Sequence, residues 1–338
     1  MSDVTTPPAP GNASLADTHP RLYHYTGEHA FKSIVQNNTL WGTYFEDLND
    51  STEFKHIRTP LAEELGERFI PVVEAFAKRG SWEADTVRRN GGVTSGARTV
   101  GKRLMNNLYK VTFGTPFRDS LYSCFTTSFC GHKPDSYVED HGLLSQWRGY
   151  GGGPDGNYCL VFDTRRFEAL IQEEQQVYQF FFIGVGAAHY YKDRKTMPAH
   201  FGELVTLSGG MIADALAGPD FSVEKLFLPF LSTATLTKHR GFEEESEVRL
   251  VAMPLSQLGD EKMKNEPGYQ SRLIKTSFTT DINATKKRHI RLFTERSKLP
   301  LVRVIIGPAR DQARNEAIAR EVVGKNVEIV RSETPYLA

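Results

Sequence analysis

Cysteine is scarce in this chain: Cys124, Cys130 and Cys159 are the only three in 338 residues. An odd count without a framework spacing excludes a disulfide scaffold and fits a reducing, cytoplasmic setting, in which the sequons at Asn12, Asn37, Asn49 and Asn283 carry no meaning. Net charge is absent too, with 41 Lys plus Arg against 41 Asp plus Glu. No global field therefore argues for nucleic acid or an acidic membrane, and only a local basic groove is left open. No apolar run reaches the length of a membrane span, and no basic start precedes an apolar segment at the N-terminus, so nothing points to the membrane or to export. Internal repeats are missing. The glycine loop Gly151-Gly152-Gly153-Pro154-Asp155-Gly156-Asn157 has no Gly-Lys-Ser/Thr, which excludes a P-loop, and Gly184-Val185-Gly186 lacks the third glycine of a dinucleotide fingerprint. No His/Cys/Asp cluster has metal-ligand spacing; Cys124 and Cys130 with His132 and His141 make only a weak zinc pattern, and no metal is assigned.

What is present is enough apolar material for a core, 39% hydrophobic and 11% aromatic. Residues 1–20, rich in Pro, Ser, Thr, Ala and Gly, are expected to be a disordered leader. Residues 21–338 are expected to form one domain. Strands are expected at Leu22 to Thr26, Leu40 to Tyr44, Tyr122 to Ser128, Tyr158 to Phe162, within Val177 to Tyr190, and near Leu273 to Phe278, His289 to Phe293, Val302 to Ile306 and Val327 to Val330. Helices are expected after Thr26 up to Asn37-Asn38, from Leu143 to Tyr150, from Phe167 to Gln175 and from Asp311 to Val323. Helical insertions are expected near 53–115 and 195–237, the first opening on a capping box of Asp50 and Glu53. Short strands with helices inserted at irregular intervals, rather than regular βαβ alternation, argue for an α+β fold.

The most informative stretch is Glu245-Ser246-Glu247-Val248-Arg249. Read as a strand, it sends Glu245, Glu247 and Arg249 to one face and Val248 and Leu250 to the other. Carboxylates so close repel each other and are depleted from strands, so they call for solvent or a function. Val251 and Met253 continue that face as apolar, which suggests a strand whose charged end opens at the mouth of a cleft.

Other segments carry chemistry in a weaker form. His24 and Thr26 share a strand face and suit a polyhydroxylated ligand, against the ordinary reading of a structural histidine. Thr126, Thr127 and Ser128 offer hydroxyls on a strand. Trp147 and Tyr150 suit stacking on a planar ligand, or equally form the buried side of a helical turn. Lys238-His239-Arg240 is a basic cluster that suits phosphate or balances the acidic run that follows.

Leu22-Tyr23-His24-Tyr25-Thr26, Ser33-Ile34, Leu40-Trp41, Leu48-Asn49-Asp50 with Glu53, Ser123 to Thr126, Gln146-Trp147 with Tyr150, and Tyr158 to Asp163 together resemble the bacterial DUF2971 family. The Glu245/Glu247/Arg249 strand, Ile305-Ile306-Gly307-Pro308, and Ser332 with Pro335-Tyr336 extend that resemblance over nearly all of the chain after the leader. More distantly, a His-aromatic-Thr strand, a Ser/Thr-rich strand and a Glu-x-Glu strand in this order are similar to the site of ADP-ribosyltransferases, including the DarT group. This second resemblance implies a split β-sheet core with helical insertions, NAD as substrate, and transfer of ADP-ribose to a macromolecular acceptor (protein, RNA or DNA) by a toxin or phage-defence effector. It places His24 and Thr26, with Tyr25 between them, on the adenosine side, and lets Thr126, Thr127 and Ser128 brace the pocket. Glu247 falls on the nicotinamide ribose, Glu245 on the acceptor, and Trp147 or Tyr150 against nicotinamide. Arg249 belongs to the cofactor-binding set or pairs with a glutamate. No arginine replaces His24, so the arginine-serine-glutamate class is not matched; Tyr44 is the candidate tyrosine of the histidine-tyrosine-glutamate class. The alternatives are an NAD glycohydrolase, a non-catalytic nucleotide or nucleic-acid sensor using Lys238, His239 and Arg240, and a metal-dependent hydrolase, for which motif-spaced histidines are lacking.

Overall fold

The structure, a computed structural model, describes residues 14–48, 57–114, 120–150, 156–191, 200–282, 285–294 and 296–335. The expected Asp50–Glu53 capping box and most of the glycine loop lie outside the described residues. In chain order the elements begin with α1 (Leu15–Thr18), β1 (Arg21–Gly27), α2 (Glu28–Asn37), β2 (Leu40–Tyr44), α3 (Arg58–Ala77), α4 (Ser81–Arg89), α5 (Gly92–Phe113) and β3 (Phe125–Cys130). There follow α6 (Tyr137–His141), α7 (Leu144–Tyr150), β4 (Asn157–Asp163), α8 (Thr164–Val177), β5 (Phe180–Ala187), β6 (His189–Tyr191), α9 (His200–Ser208), α10 (Ile212–Ala217) and α11 (Phe227–Leu236). The last are β7 (Thr237–His239), β8 (Glu247–Pro254), α12 (Gln257–Met263), β9 (Ser277–Ile282), β10 (Thr285–Leu292), β11 (Leu301–Ile306), α13 (Gln312–Val323) and β12 (Glu328–Arg331). This is a mixed α+β architecture.

The chain divides into two compact units, one of residues 1–48, 121–188 and 243–338, the other of residues 49–120 and 189–242. The second unit is mainly helical and contains the two stretches read as insertions. Leu61, Leu65, Phe69 and Val73 recur every fourth residue on α3 and pack with Val100, Leu104 and Leu108 of α5 in its core. The two helices cross closely because Gly101 has no side chain: a Cβ there would lie 2.6 Å from the Ala62 carbonyl and 2.7 Å from the Gly66 nitrogen.

The first unit is built on a 10-stranded sheet in which β12-β11-β4-β1-β3-β2-β10-β9 follow one another, with β8 on β3 and β5 on β8. Among the described residues its one parallel pair, β11 with β12, is connected through α13, the helical crossover such a pair needs. The apolar runs of β4 and β8 are buried almost throughout because strands flank both. β3 is the branch point. One edge pairs along its whole length with β8, from Phe125 opposite Ala252 to Cys130 opposite Glu247. The other edge is shared: β1 meets it with Tyr23 opposite Cys130, and β2 with Thr43 opposite Thr126. Between those meetings β1 and β2 part, so the sheet divides there.

Two expectations about local structure are corrected. The last part of the presumed leader is ordered: Leu15–Thr18 is a helical turn, the Thr164 hydroxyl donates to the His19 carbonyl, and Arg165 reaches Asp17 at 3.3 Å. The β8 strand starts at Glu247, because Arg240–Glu245 forms a 3-10 segment and Ser246 adopts a left-handed φ of 43°. Glu245 therefore does not lie on the strand face that Glu247 and Arg249 share.

Candidate active site

Cross-strand partners share a sheet face, and successive residues alternate. Tyr23, Cys130 and Glu247 are consecutive partners across β1, β3 and β8, so they lie on one face, called here the front. By alternation the front also carries Tyr25, Thr126, Ser128 and Arg249, while His24, Thr26, Thr127 and Val248 belong to the back. Tyr44, opposite Phe125, is on the back as well. His24 and Glu247, expected at the adenosine side and the nicotinamide ribose of one NAD molecule, thus lie on opposite faces of the sheet, since a register of one residue is all that is needed to move a strand side chain to the other face.

His24 has a different task. Its ring lies 5.6 Å from that of Phe129 on the back and reaches into the gap where β1 leaves β3, with Nδ1 3.1 Å from the Ser128 carbonyl. A carbonyl can only accept, so Nδ1 carries the proton. Burial lowers the His24 pKa, partly offset by that carbonyl, and the ring is neutral at pH 7. Tyr44 is equally engaged: the Arg288 guanidinium sits 4.0 Å above its ring, and burial pushes its phenol up to about 12. Thr127 donates to the Trp41 carbonyl at 2.8 Å, bracing β2 against β3.

On the front, Glu247 and Arg249 form a bidentate pair, Nε to Oε1 at 2.7 Å and Nη2 to Oε2 at 2.9 Å, with both residues under 5% exposed. The charged end of the strand is buried rather than open at a cleft mouth. Ser128, the β3 partner of Arg249, is exposed beside it, and Thr126 is buried two residues earlier. The parallel guanidinium–carboxylate fork fixes the orientation of the Glu247 carboxylate.

Next to this pair β1 supplies an aromatic cluster. The Leu143 N–H donates to the Tyr25 hydroxyl at 2.8 Å, and that hydroxyl shares a hydrogen bond of 2.6 Å with His132 Nε2. Burial lowers the His132 pKa to about 4, so the imidazole is neutral and able to accept. Burial also raises the Tyr25 phenol well above its usual range. The Tyr23 ring stands 4.3 Å from His132, and Trp147 meets Tyr25 edge-on at 4.7 Å. Trp147 is 1% exposed and donates through Nε1 to the His141 carbonyl at 3.0 Å. Its seat depends on Gly307, where a Cβ would lie 2.8 Å from the indole and 2.5 Å from Asn157 Cβ. Tyr150, at the end of the same helix, is 48% exposed.

The structure therefore gathers Tyr25, Thr126, Ser128, Trp147, Glu247 and Arg249 on the front, and separates His24, Thr26, Tyr44 and Thr127 from them. Tyr23 and His132 join them there, although neither was expected in an NAD site. The signal was there, since the same alternation that groups Tyr23 with Tyr25 separates both from His24. Lys238 is mostly buried and lies 4.6 Å from the Phe242 ring. Among the described residues no group of three or more His, Cys, Asp or Glu is arranged to hold a metal ion, and no helix is long and apolar enough to cross a membrane.

A family model described as "Protein of unknown function (DUF2971)" matches residues 146–250, a stretch that runs from Gln146-Trp147 through the Glu247–Arg249 pair. The match supports the DUF2971 resemblance over this part of the chain. No curated protein and no solved structure matches.

Proposed function

We propose that the front of the sheet is an NAD-consuming site with Glu247 as the catalytic carboxylate, and that the chain is an ADP-ribosyltransferase acting on a macromolecular acceptor, in the role of a toxin or phage-defence effector. One observation carries this reading: the three motif strands lie side by side in the order β1, β3, β8, with the sheet dividing along one edge of β3 and a carboxylate fixed by Arg249 on β8 along the other.

In the reaction the bond between C1′ of the ribose and the nicotinamide nitrogen breaks, and nicotinamide leaves with the electron pair. Positive charge develops on the ribose, and a carboxylate already oriented by Arg249 stabilises it without reorganising. The acceptor nucleophile bonds to C1′ and its proton passes to a base, a role the proposal leaves with Glu245 at the foot of the strand. On this face β1 contributes Tyr23 and Tyr25 rather than His24. Tyr150 is the solvent-exposed aromatic ring of its helix.

Two observations favour other readings. Ser128, the cross-strand partner of Arg249, is exposed to water, and water in place of an acceptor gives NAD hydrolysis. The bidentate fork engages both Glu247 oxygens, the arrangement of a structural ion pair in a non-catalytic nucleotide-binding module. The test is to incubate the purified protein with NAD and follow free nicotinamide with and without protein, RNA and DNA acceptors. Transfer requires label from NAD on an acceptor, hydrolysis gives nicotinamide and free ADP-ribose alone, and no release under any condition eliminates both enzyme readings.

A further inference from the structure

The helical unit holds a surface that the NAD reading does not use. Although the whole chain is neutral, its charge is divided unevenly: the helical unit has 18 Lys plus Arg against 14 Asp plus Glu, and the sheet unit 23 against 27. The excess is concentrated on α5, whose 22 residues include Arg98, Lys102, Arg103 and Lys110 and no Asp or Glu. Arg103 turns to α10, donating to the Ala215 and Leu216 carbonyls at 2.6 and 3.3 Å. Arg98, Lys102, Asn106 and Lys110 recur every four residues and are all exposed, so they form one file on the side of α5 away from its core stripe. Asn106 alone would interrupt the charge. Its Oδ1 accepts from Arg58 Nη2 at 2.8 Å, however, which brings a fourth cation into the gap, with the Arg58 guanidinium 5.4 Å above the Tyr109 ring. Glu67 of α3 borders the file and holds Arg98 at 3.3 Å. Lys102 and Lys110 have no hydrogen bond or ion pair among the described residues.

We propose that the exposed face of α5 binds duplex DNA, with Arg58, Arg98, Lys102 and Lys110 meeting its phosphates. From Arg98 to Lys110 the file runs about 18 Å at roughly 1.5 Å per residue, the length of about five nucleotides of one strand at roughly 3.4 Å each. Cations at regular intervals along a rigid helix complement a regular polyanion. From Thr94 to Lys110 this face exposes no aromatic ring, since Tyr109 is buried, so it offers a single strand no platform on which to stack. It exposes no apolar side chain over the same length, which a helix lying on a membrane surface needs. The major groove of B-form DNA admits an α-helix, whereas that of duplex RNA is too narrow. Binding is independent of the NAD reading; only in naming DNA as the class of acceptor does the inference rest on it.

The test is fluorescence anisotropy of the full chain with a labelled twenty-base-pair DNA duplex, an RNA duplex and a DNA single strand of equal length, without NAD. The DNA duplex is expected to bind at least tenfold more tightly than the other two, with log affinity falling against log salt at a slope of about 3–4. Lys102→Ala is expected to flatten that slope by about 0.9. Lys102→Glu combined with Lys110→Glu is expected to weaken binding at least thirtyfold with an unchanged melting temperature. Lys262→Glu combined with Lys325→Glu makes the same change of net charge at exposed sites of the sheet unit and is expected to stay within about twofold of wild type. No salt-dependent duplex binding, or equal losses in the two double variants, overturns the proposal. So does tighter binding of the RNA duplex or the single strand, or displacement of the DNA by polyglutamate as readily as by unlabelled duplex, which identifies an acidic protein as the partner. Duplex binding without any nicotinamide release leaves this surface standing and removes the NAD reading; release without duplex binding does the reverse.

Discussion

Removing one partner of the Glu247–Arg249 pair breaks a bidentate contact in the protein interior, and the consequence is large enough to measure. Both side chains are about 5% exposed or less. Breaking a buried pair of this kind from one side costs about 3–5 kcal/mol, whereas replacing both charges by apolar groups is often close to neutral. For Glu247→Leu and Arg249→Met singly we expect a loss of about 3 kcal/mol each. In a cooperative unit of roughly 200 residues, where 1 kcal/mol moves Tm by about 2–4 °C, that is a fall of about 6–12 °C. The double variant is expected to recover at least about 2 kcal/mol of the summed losses, since groups in direct contact couple while distant ones add to within about 0.5 kcal/mol. Urea unfolding followed by circular dichroism, at fixed protein concentration, gives the four free energies of the cycle. Single variants within 1 kcal/mol of wild type, or strict additivity in the double, would refute the argument that a desolvated ion pair organises the front of the sheet.

Three further outcomes follow from the same geometry. Tyr25→Phe leaves His132 Nε2 and the Leu143 N–H without their buried partner, and a loss of about 1–3 kcal/mol is expected in the same unfolding assay. Because burial holds the folded-state pKa of His132 at about 4, below the unfolded value near 6.5, the unfolded chain binds the extra proton between these limits. The stability this neutral histidine provides is complete above about pH 6.5, is reduced by about 2 kcal/mol at pH 5, and is lost as pH falls through 4; subtracting the pH profile of His132→Gln isolates the effect, and parallel profiles would contradict it. Gly307→Ala forces a methyl group against Trp147 and Asn157 and is expected to cost about 1–3 kcal/mol, with a change in tryptophan fluorescence that an ordinary surface substitution would not cause.

Much of the element order was legible in the chain because periodicity is local. The run Tyr158 to Phe162 became a strand buried on both faces, and the helical insertion expected near 53–115 became α3, α4 and α5. The site was less legible, because it depends on pairings between residues more than a hundred positions apart. Nothing near His24 reveals that Tyr23 is the residue placed opposite Cys130, yet that single register decides which side chains look toward Glu247. The left-handed Ser246 likewise removes Glu245 from the strand, an event that alternation alone cannot foresee, since serine has no special preference for that conformation. The tail of the leader took order from contacts with α8, supplied by Thr164 and Arg165 far along the chain.

As proposed, Glu247 is catalytic and not merely half of an ion pair, and Glu247→Asp separates the two roles. Aspartate keeps a carboxylate for Arg249 but withdraws it by one methylene from the ribose. Nicotinamide release from NAD, measured beside a melting curve for each protein, is expected to fall at least a hundredfold in Glu247→Asp, about 2.7 kcal/mol of transition-state stabilisation, while Tm stays within a few degrees of wild type. Release that persists at the wild-type rate in Glu247→Asp, or a wild-type protein that releases no nicotinamide with any acceptor, would contradict the account.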